Sequence, residues 1–158
     1  MTASTAALRS GLTGTTNIVV TEQHTARHMG SGRMPVLATP ALAALMEAAA
    51  QQAIDAHLPP GQQTIGTHID LHHHGATPIG LRVTASAELI SIDGRLLTFR
   101  IVAHDGNEQI GEAQHLRALT STATFERLLR KKTNDTTSAA NAISTFSAAN
   151  GSKAQTER

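Results

Sequence analysis

Between Pro40 and His57 the chain carries its clearest helix signal, and that helix has little company. Leu42, Leu45, Met46, Ala49, Ala53 and Ile54 recur at helical spacing. Thr39-Pro40 supplies a hydroxyl that can cap and a proline at the first helical position, and Pro59-Pro60-Gly61 ends the run. Alanines at 41, 43, 44, 48, 49, 50 and 53 let another layer come close, so burial over much of the circumference is expected. After Gly61 the period changes to two. Thr64–His74, Leu81–Ser91, Leu96–Ala103 and Gln109–Thr120 alternate apolar with polar residues and read as strands. Asp93-Gly94 and Asp105-Gly106-Asn107 are tight-turn sequences that join the last three into an antiparallel meander. Thr16–Thr21 is expected to add an edge strand.

An antiparallel sheet with one apolar face must be covered, and only this helix is available to cover it. The expected fold is therefore α+β, a hot-dog fold with a long central helix wrapped by a curved sheet. Such a sheet leaves an edge that a second copy can pair with, so a homodimer is expected. The folded domain is assigned to 14–132, with a flexible N-terminus at 1–13. The Ser-, Thr-, Ala- and Asn-rich residues 133–158 are assigned as a disordered tail.

Composition narrows the function. With no Trp, no Tyr and three Phe, the core must be aliphatic, and the aromatics that stack bases are missing. A formal net charge of +1 lacks the basic field of a nucleic-acid binder. The absence of cysteine excludes disulfides, thiolate metal sites and cysteine nucleophiles. No segment reads as a membrane span or a signal peptide, so a soluble cytoplasmic protein is expected, with no membrane partner.

Four features could carry chemistry. Glu47 falls at the margin of the helix's apolar stripe, either as a surface glutamate or as a carboxylate at the rim of a cavity. Thr39 stands where a helix begins, either as an ordinary N-cap or as a hydroxyl beside the dipole that stabilises an oxyanion. In the run His72-His73-His74, neighbours point to opposite faces, so His73 joins Ile69 and Leu71 facing the helix, where it can meet Thr39 or Glu47. His68, Asp70, His72 and His74 share the other face at a spacing that can ligate zinc, or simply form a solvated surface. His115 and Arg117 alternate onto one face with Gly111 and Ala113, as polar groups on an open sheet face or as a guanidinium reaching an anion.

These residues, in order, resemble the fluoroacetyl-CoA thioesterase family. The resemblance is carried by Ala38-Thr39-Pro40…Leu45-Met46-Glu47, Gly66-Thr67…His73-His74-Gly75-Ala76-Thr77-Pro78, Ala103-His104-Asp105-Gly106 and Ile110-Gly111…His115…Arg117, over roughly residues 14–132. It implies hydrolysis of a short-chain acyl-CoA to free acid and coenzyme A. Thr39, Glu47 and His73 would be catalytic. Gly66 would offer a backbone N–H to the thioester oxygen, and Arg117 would help place the substrate. No cofactor and no metal are implied. Arg27, Arg33, Arg82 and Arg100 are candidates for the phosphates of coenzyme A. The fluoroacetyl-specific enzyme carries lid phenylalanines before the helix, whereas Gly30-Ser31-Gly32-Arg33-Met34-Pro35 has none, so a broader or different acyl group is expected. The rival readings are a non-catalytic acyl/CoA-binding domain and a metal-binding protein built on the His68 face.

Overall fold

The computed structural model describes residues 7–153, in two units that divide between Thr120 and Ser121. The first unit is a five-stranded sheet wrapped on one helix. Strands β1 (Thr13–Val19), β2 (Gln62–His73), β3 (Arg82–Asp93), β4 (Leu96–His104) and β5 (Gln109–Ser121) stand in the order β1-β3-β4-β5-β2. The meander is present: β3 pairs antiparallel with β4 and β4 with β5, while β1 pairs antiparallel with β3. Gly94 takes the turn between β3 and β4 at φ +57°, a left-handed conformation that side chains other than glycine's disfavour. The short helix α1 (Ala26–Met29) precedes the long helix α2 (Thr39–Ile54), which ends in a 3₁₀ turn at Asp55–His57.

Alternation sets what is buried. Val83, Ala85, Ala87 and Leu89 of β3 and Leu97, Phe99, Ile101 and Ala103 of β4 face Leu42, Met46, Ala49, Ala50 and Ile54 of α2. Each fully buried Leu, Ile, Phe or Met contributes about 1.5–3 kcal/mol relative to exposure. A core so short of aromatics fills its space by bringing the layers together. Gly14 of β1 shows how tightly: a Cβ there would stand 2.4 Å from the Ala49 carbonyl oxygen and 2.4 Å from the Ala53 nitrogen. Gln52 reaches back across this crossing, its Oε1 accepting from the Thr15 N–H at 2.7 Å.

Three expectations need correction. Thr39 is not the cap of α2. Ala38 holds that position without a side-chain bond, Thr39 is the first helical residue, and its hydroxyl is turned to His73. The stretch before β1 is not loose throughout, since Leu12 is buried, the Gly11 N–H donates to the Leu89 carbonyl and the Leu89 N–H donates to the Leu12 carbonyl. Residues 1–6 lie outside the described residues. The segment assigned as a disordered tail is helical up to Lys153, as the second part of α3 (Thr122–Lys153), and residues 154–158 lie outside the description. The physical reason is local. Glu126–Lys132 are strong helix formers, and the helix they start carries on through Thr133, Thr136 and Thr137, whose hydroxyls bond to the carbonyls of Leu129, Lys132 and Thr133. From Glu126 to Asn141 every residue is exposed, so this part of α3 rests on propensity rather than packing.

The Gly14 crossing gives a direct test of the close-packed core. Gly14→Ala should lower the urea unfolding midpoint by the equivalent of about 2–4 kcal/mol, because its methyl meets helix backbone that cannot move aside. Gly32→Ala, whose methyl would meet only the Ala26 side chain on an exposed loop, serves as a milder glycine control.

Candidate functional site

Two polar clusters open from α2. The first is at its N-terminus. Thr39 Oγ1 lies 2.9 Å from Nδ1 of His73, the last residue of β2. The alternation of β2 delivers this contact: Ile69, Leu71 and His73 are half-buried on the helix side, while His68, Asp70, His72 and His74 are exposed. With the hydroxyl donating, Nδ1 accepts and Nε2 carries the ring proton. That Nε2 is buried and has no hydrogen-bond partner. Burial pulls the His73 pKa down, which keeps the ring neutral and able to accept a proton at pH 7. The pair borders a cavity of about 340 Å³ walled by Ser31, Val36, Gly75 and Ala76. The positive end of the α2 dipole lies beside it, although Pro40 has no N–H and the Ala38 N–H is bonded to the His24 carbonyl.

The second cluster lies two turns along α2. The Glu47 carboxylate, 43% exposed, stands 3.6 Å from NH1 of Arg117, whose side chain is 6% exposed. That separation is too long for a hydrogen bond, so the pair interacts by charge alone. Arg117 is held by neutral acceptors: Nε donates to Thr64 Oγ1 at 2.8 Å, NH2 to the Thr64 carbonyl at 3.0 Å, and NH1 lies 3.2 Å from His115 Nε2. His115 Nδ1 in turn donates to the His68 carbonyl at 2.7 Å. Gly66 closes the cluster. A Cβ there would fall 2.8 Å from Glu47 Oε2 and 3.1 Å from His115 Cε1, so the missing side chain is what admits both groups.

Here the open-face reading of His115 and Arg117 is corrected, since both are buried. Their strand is covered on this side by α2, whose Leu42 would meet a Cβ at Gly111 at 3.0 Å. Nothing in the spacing of Thr64 marks it, and only the fold sets it against Arg117. Within one chain His73 meets Thr39 and not Glu47, which is eight helical residues, or about 12 Å of axial rise, further on. Glu47 and Arg117 line a separate cavity with Pro40, Ala44 and Gln51.

The histidine-rich outer face does not gather into a ligand set. His72 Nε2 and Asp70 Oδ1 are 4.0 Å apart, and no group of three His, Asp or Glu among the described residues surrounds a common point. Of the four candidate arginines, Arg27 is paired with Glu22, Arg100 with Glu88, and Arg82 with the Asn17 side chain. Arg33 is exposed on the 30–35 loop, whose Ser31 borders the Thr39 cavity.

The buried imidazoles link the site to stability. Burial holds His73 and His115 below the ordinary value of 6.5, so in acid the unfolded chain binds protons that the folded chain refuses. Their contribution is intact above pH 6.5 and is lost as the pH falls through the lowered values. Melting temperature should therefore be flat above about pH 6.5 and fall below it, with a shallower fall in His115→Gln. A melting temperature that rises on acidification would contradict this.

Comparison with known proteins agrees with the geometry. Residues 20–123 match the model of the family described as fluoroacetyl-CoA-specific thioesterase. A fluoroacetyl-CoA thioesterase from Streptantibioticus cattleyicolor is 39% identical over 132 residues, covering 80% of this chain and 95% of that protein. A crystal structure of a mutant fluoroacetyl-CoA-specific thioesterase with fluoroacetate and CoA is similar at a TM-score of 0.68 and 39% identity, covering 75% of this chain and 99% of that one. A thioesterase superfamily member from Thermus thermophilus is similar at a TM-score of 0.76 and 26% identity, covering 82% and 96%. With a curled antiparallel sheet around one long helix and this match over most of its length, the chain has the hot-dog fold and belongs to the fluoroacetyl-CoA-specific thioesterase family.

Proposed function

We propose that the protein hydrolyses short acyl-CoA thioesters at a site built from Thr39, His73, Glu47, Gly66 and Arg117, and that two copies complete it. The observation that carries this is the Thr39–His73 hydrogen bond with the opposite ring nitrogen buried and unpartnered. A hydroxyl on one nitrogen and a vacant N–H on the other is two-thirds of a nucleophile–base–carboxylate relay. The missing carboxylate is Glu47. β2 is an edge strand with β5 as its neighbour. Antiparallel pairing of β2 with a second copy about a two-fold axis turns the Gly66 end of one strand toward the His73 end of the other. The partner's Glu47 then comes within reach of His73 Nε2.

In this reading the Thr39 hydroxyl adds to the thioester carbon as its proton passes to His73 Nδ1. The C–S bond breaks, His73 returns the proton to the departing sulfur, and coenzyme A leaves. Water then attacks the Thr39 ester by the same route, giving the free acid and restoring the hydroxyl. The α2 N-terminal amides and the N–H of Gly66 of the partner subunit are the donors for the developing oxyanion. Glu47 holds the imidazolium that forms, and Arg117 holds Glu47. The 30–35 loop carries no phenylalanine, and no aromatic residue other than histidine lines the cavity, which supports a range of short acyl groups rather than fluoroacetyl alone. A CoA-linked substrate also fits a cytoplasmic location.

The test is CoA release from acetyl-, fluoroacetyl-, propionyl- and butyryl-CoA. Thr39→Val, His73→Ala and Glu47→Gln should each lower kcat/KM by about 10²–10⁴. Bound acyl-CoA with no turnover in the wild type would favour the non-catalytic reading. Arg33 is the arginine left for the nucleotide phosphates. Arg33→Ala should raise KM for acyl-CoA by roughly tenfold, a loss of about 1.4 kcal/mol, and leave the matching acyl-pantetheine unaffected. An equal effect on both substrates would remove Arg33 from that role.

A further inference from the structure

His115 has no part in the mechanism above, yet it is 1% exposed and both its ring nitrogens are engaged. The His68 carbonyl, 2.7 Å away, is only an acceptor, so Nδ1 must carry a proton. Arg117 NH1, 3.2 Å from Nε2, is only a donor, so Nε2 must present a lone pair. The two neighbours together demand the neutral, Nδ1-protonated ring. The Phe99 ring stands tilted beside it, with the ring centroids 6.3 Å apart.

We propose that His115 is a positioning residue that keeps the Arg117 guanidinium from closing on Glu47. With Thr64 it completes a set of neutral acceptors that spread the N–H groups of Arg117 among themselves. The guanidinium is thereby stopped at 3.6 Å from the carboxylate, near enough to hold it by charge and too far to saturate its oxygens. Without the Nε2 acceptor, NH1 has one strong acceptor left to seek, the Glu47 carboxylate. A closed pair would tie up the oxygens that the relay needs. The inference rests on the reading of Glu47 given above, which supplies the reason that a free carboxylate matters.

The surroundings favour the neutral ring. The charged or titratable groups facing His115 are Glu47 from α2, Arg117 from β5 and His68 from β2, and Asp55 acts on Arg117 from beyond. Burial is the largest influence and lowers the pKa of His115. The His68 bond and Glu47 push it up, while Arg117 and His68 charge push it down. A protonated ring would lose its acceptor and set a second cation beside Arg117.

The experiment has two arms. In ¹⁵N NMR of the imidazoles of the wild-type protein at pH 7, His115 should show a protonated Nδ1 and a bare Nε2. An Nε2-protonated or doubly protonated ring overturns the proposal whether or not the protein turns over thioester. In kinetics, His115→Asn keeps the donor to His68 and loses the acceptor to Arg117, whereas His115→Gln reaches far enough to accept. His115→Asn should lower kcat by between about tenfold and a hundredfold with little change in KM. His115→Gln should recover most of the loss and decline less steeply than the wild type as the pH falls. Equal kcat in all three proteins, or a glutamine variant as poor as the asparagine one, overturns the proposal. Failure of the Glu47 reading shows separately, as a Glu47→Gln variant with wild-type kcat.

Discussion

The distance between α2 and the sheet governs this structure. Small residues set it: Ala49, Ala50 and Ala53 on the helix, Gly14 on β1, Gly111 on β5 and Gly66 on β2. Because the layers come this close, the polar groups deepest between them, Arg117 and His115, are shut off from water and are satisfied by protein groups. Arg117 illustrates the consequence. A buried guanidinium survives because Thr64, His115 and Glu47 face it at once, and the same neighbours fix where it points. Packing and site are thus one arrangement, and a methyl group at residue 66 would disturb both.

Within that arrangement the two clusters differ in kind. The Thr39–His73 pair is open to a cavity and incomplete, with one ring nitrogen unserved. The Glu47–Arg117 pair is closed from behind by β5 and β2 and half-open in front, where the carboxylate is 43% exposed. An unpaired buried donor is costly, and proteins rarely keep one without a use for it. The second cluster holds an acceptor of the right charge on the same helix, at the other side of an edge strand able to pair with itself. In the dimer proposed above, antiparallel pairing of β2 about a two-fold axis would set the two together.

Much of this was legible in the residues. Period-two alternation identified the inner faces of β3 and β4, where Val83 to Leu89 and Leu97 to Ala103 are buried as the pattern requires. It also put His73 on the helix side of β2. The cap of α2 was misread because Thr-Pro at a helix start satisfies the rule for an N-cap. The competing bond to His73 comes from 34 residues away and leaves no local trace. Of the two readings of His115 and Arg117, the open face fails and the guanidinium beside a carboxylate matches, with Arg117 NH1 3.6 Å from Glu47. Polar residues on alternate positions look like a solvated face, and only their shared network shows the opposite. Thr64 and the one-sided placement of Glu47 depend on β2 lying beside β5, a pairing across 53 residues in the case of Thr64 and Arg117. The helix after Thr133 was missed because composition reports what a segment can bury, whereas local propensity decides whether it coils.

The central claim is that the imidazole at one end of α2 and the carboxylate further along act on one thioester from different copies of the chain. Subunit complementation tests it most directly. Glu47→Gln and His73→Ala proteins, each inactive alone, are unfolded, mixed and refolded, and CoA release is measured on the isolated mixed species. A site shared across a two-fold predicts that the hybrid regains activity, because one of its two sites draws both intact residues. A mixed species that forms and stays as inactive as its parents would contradict the account.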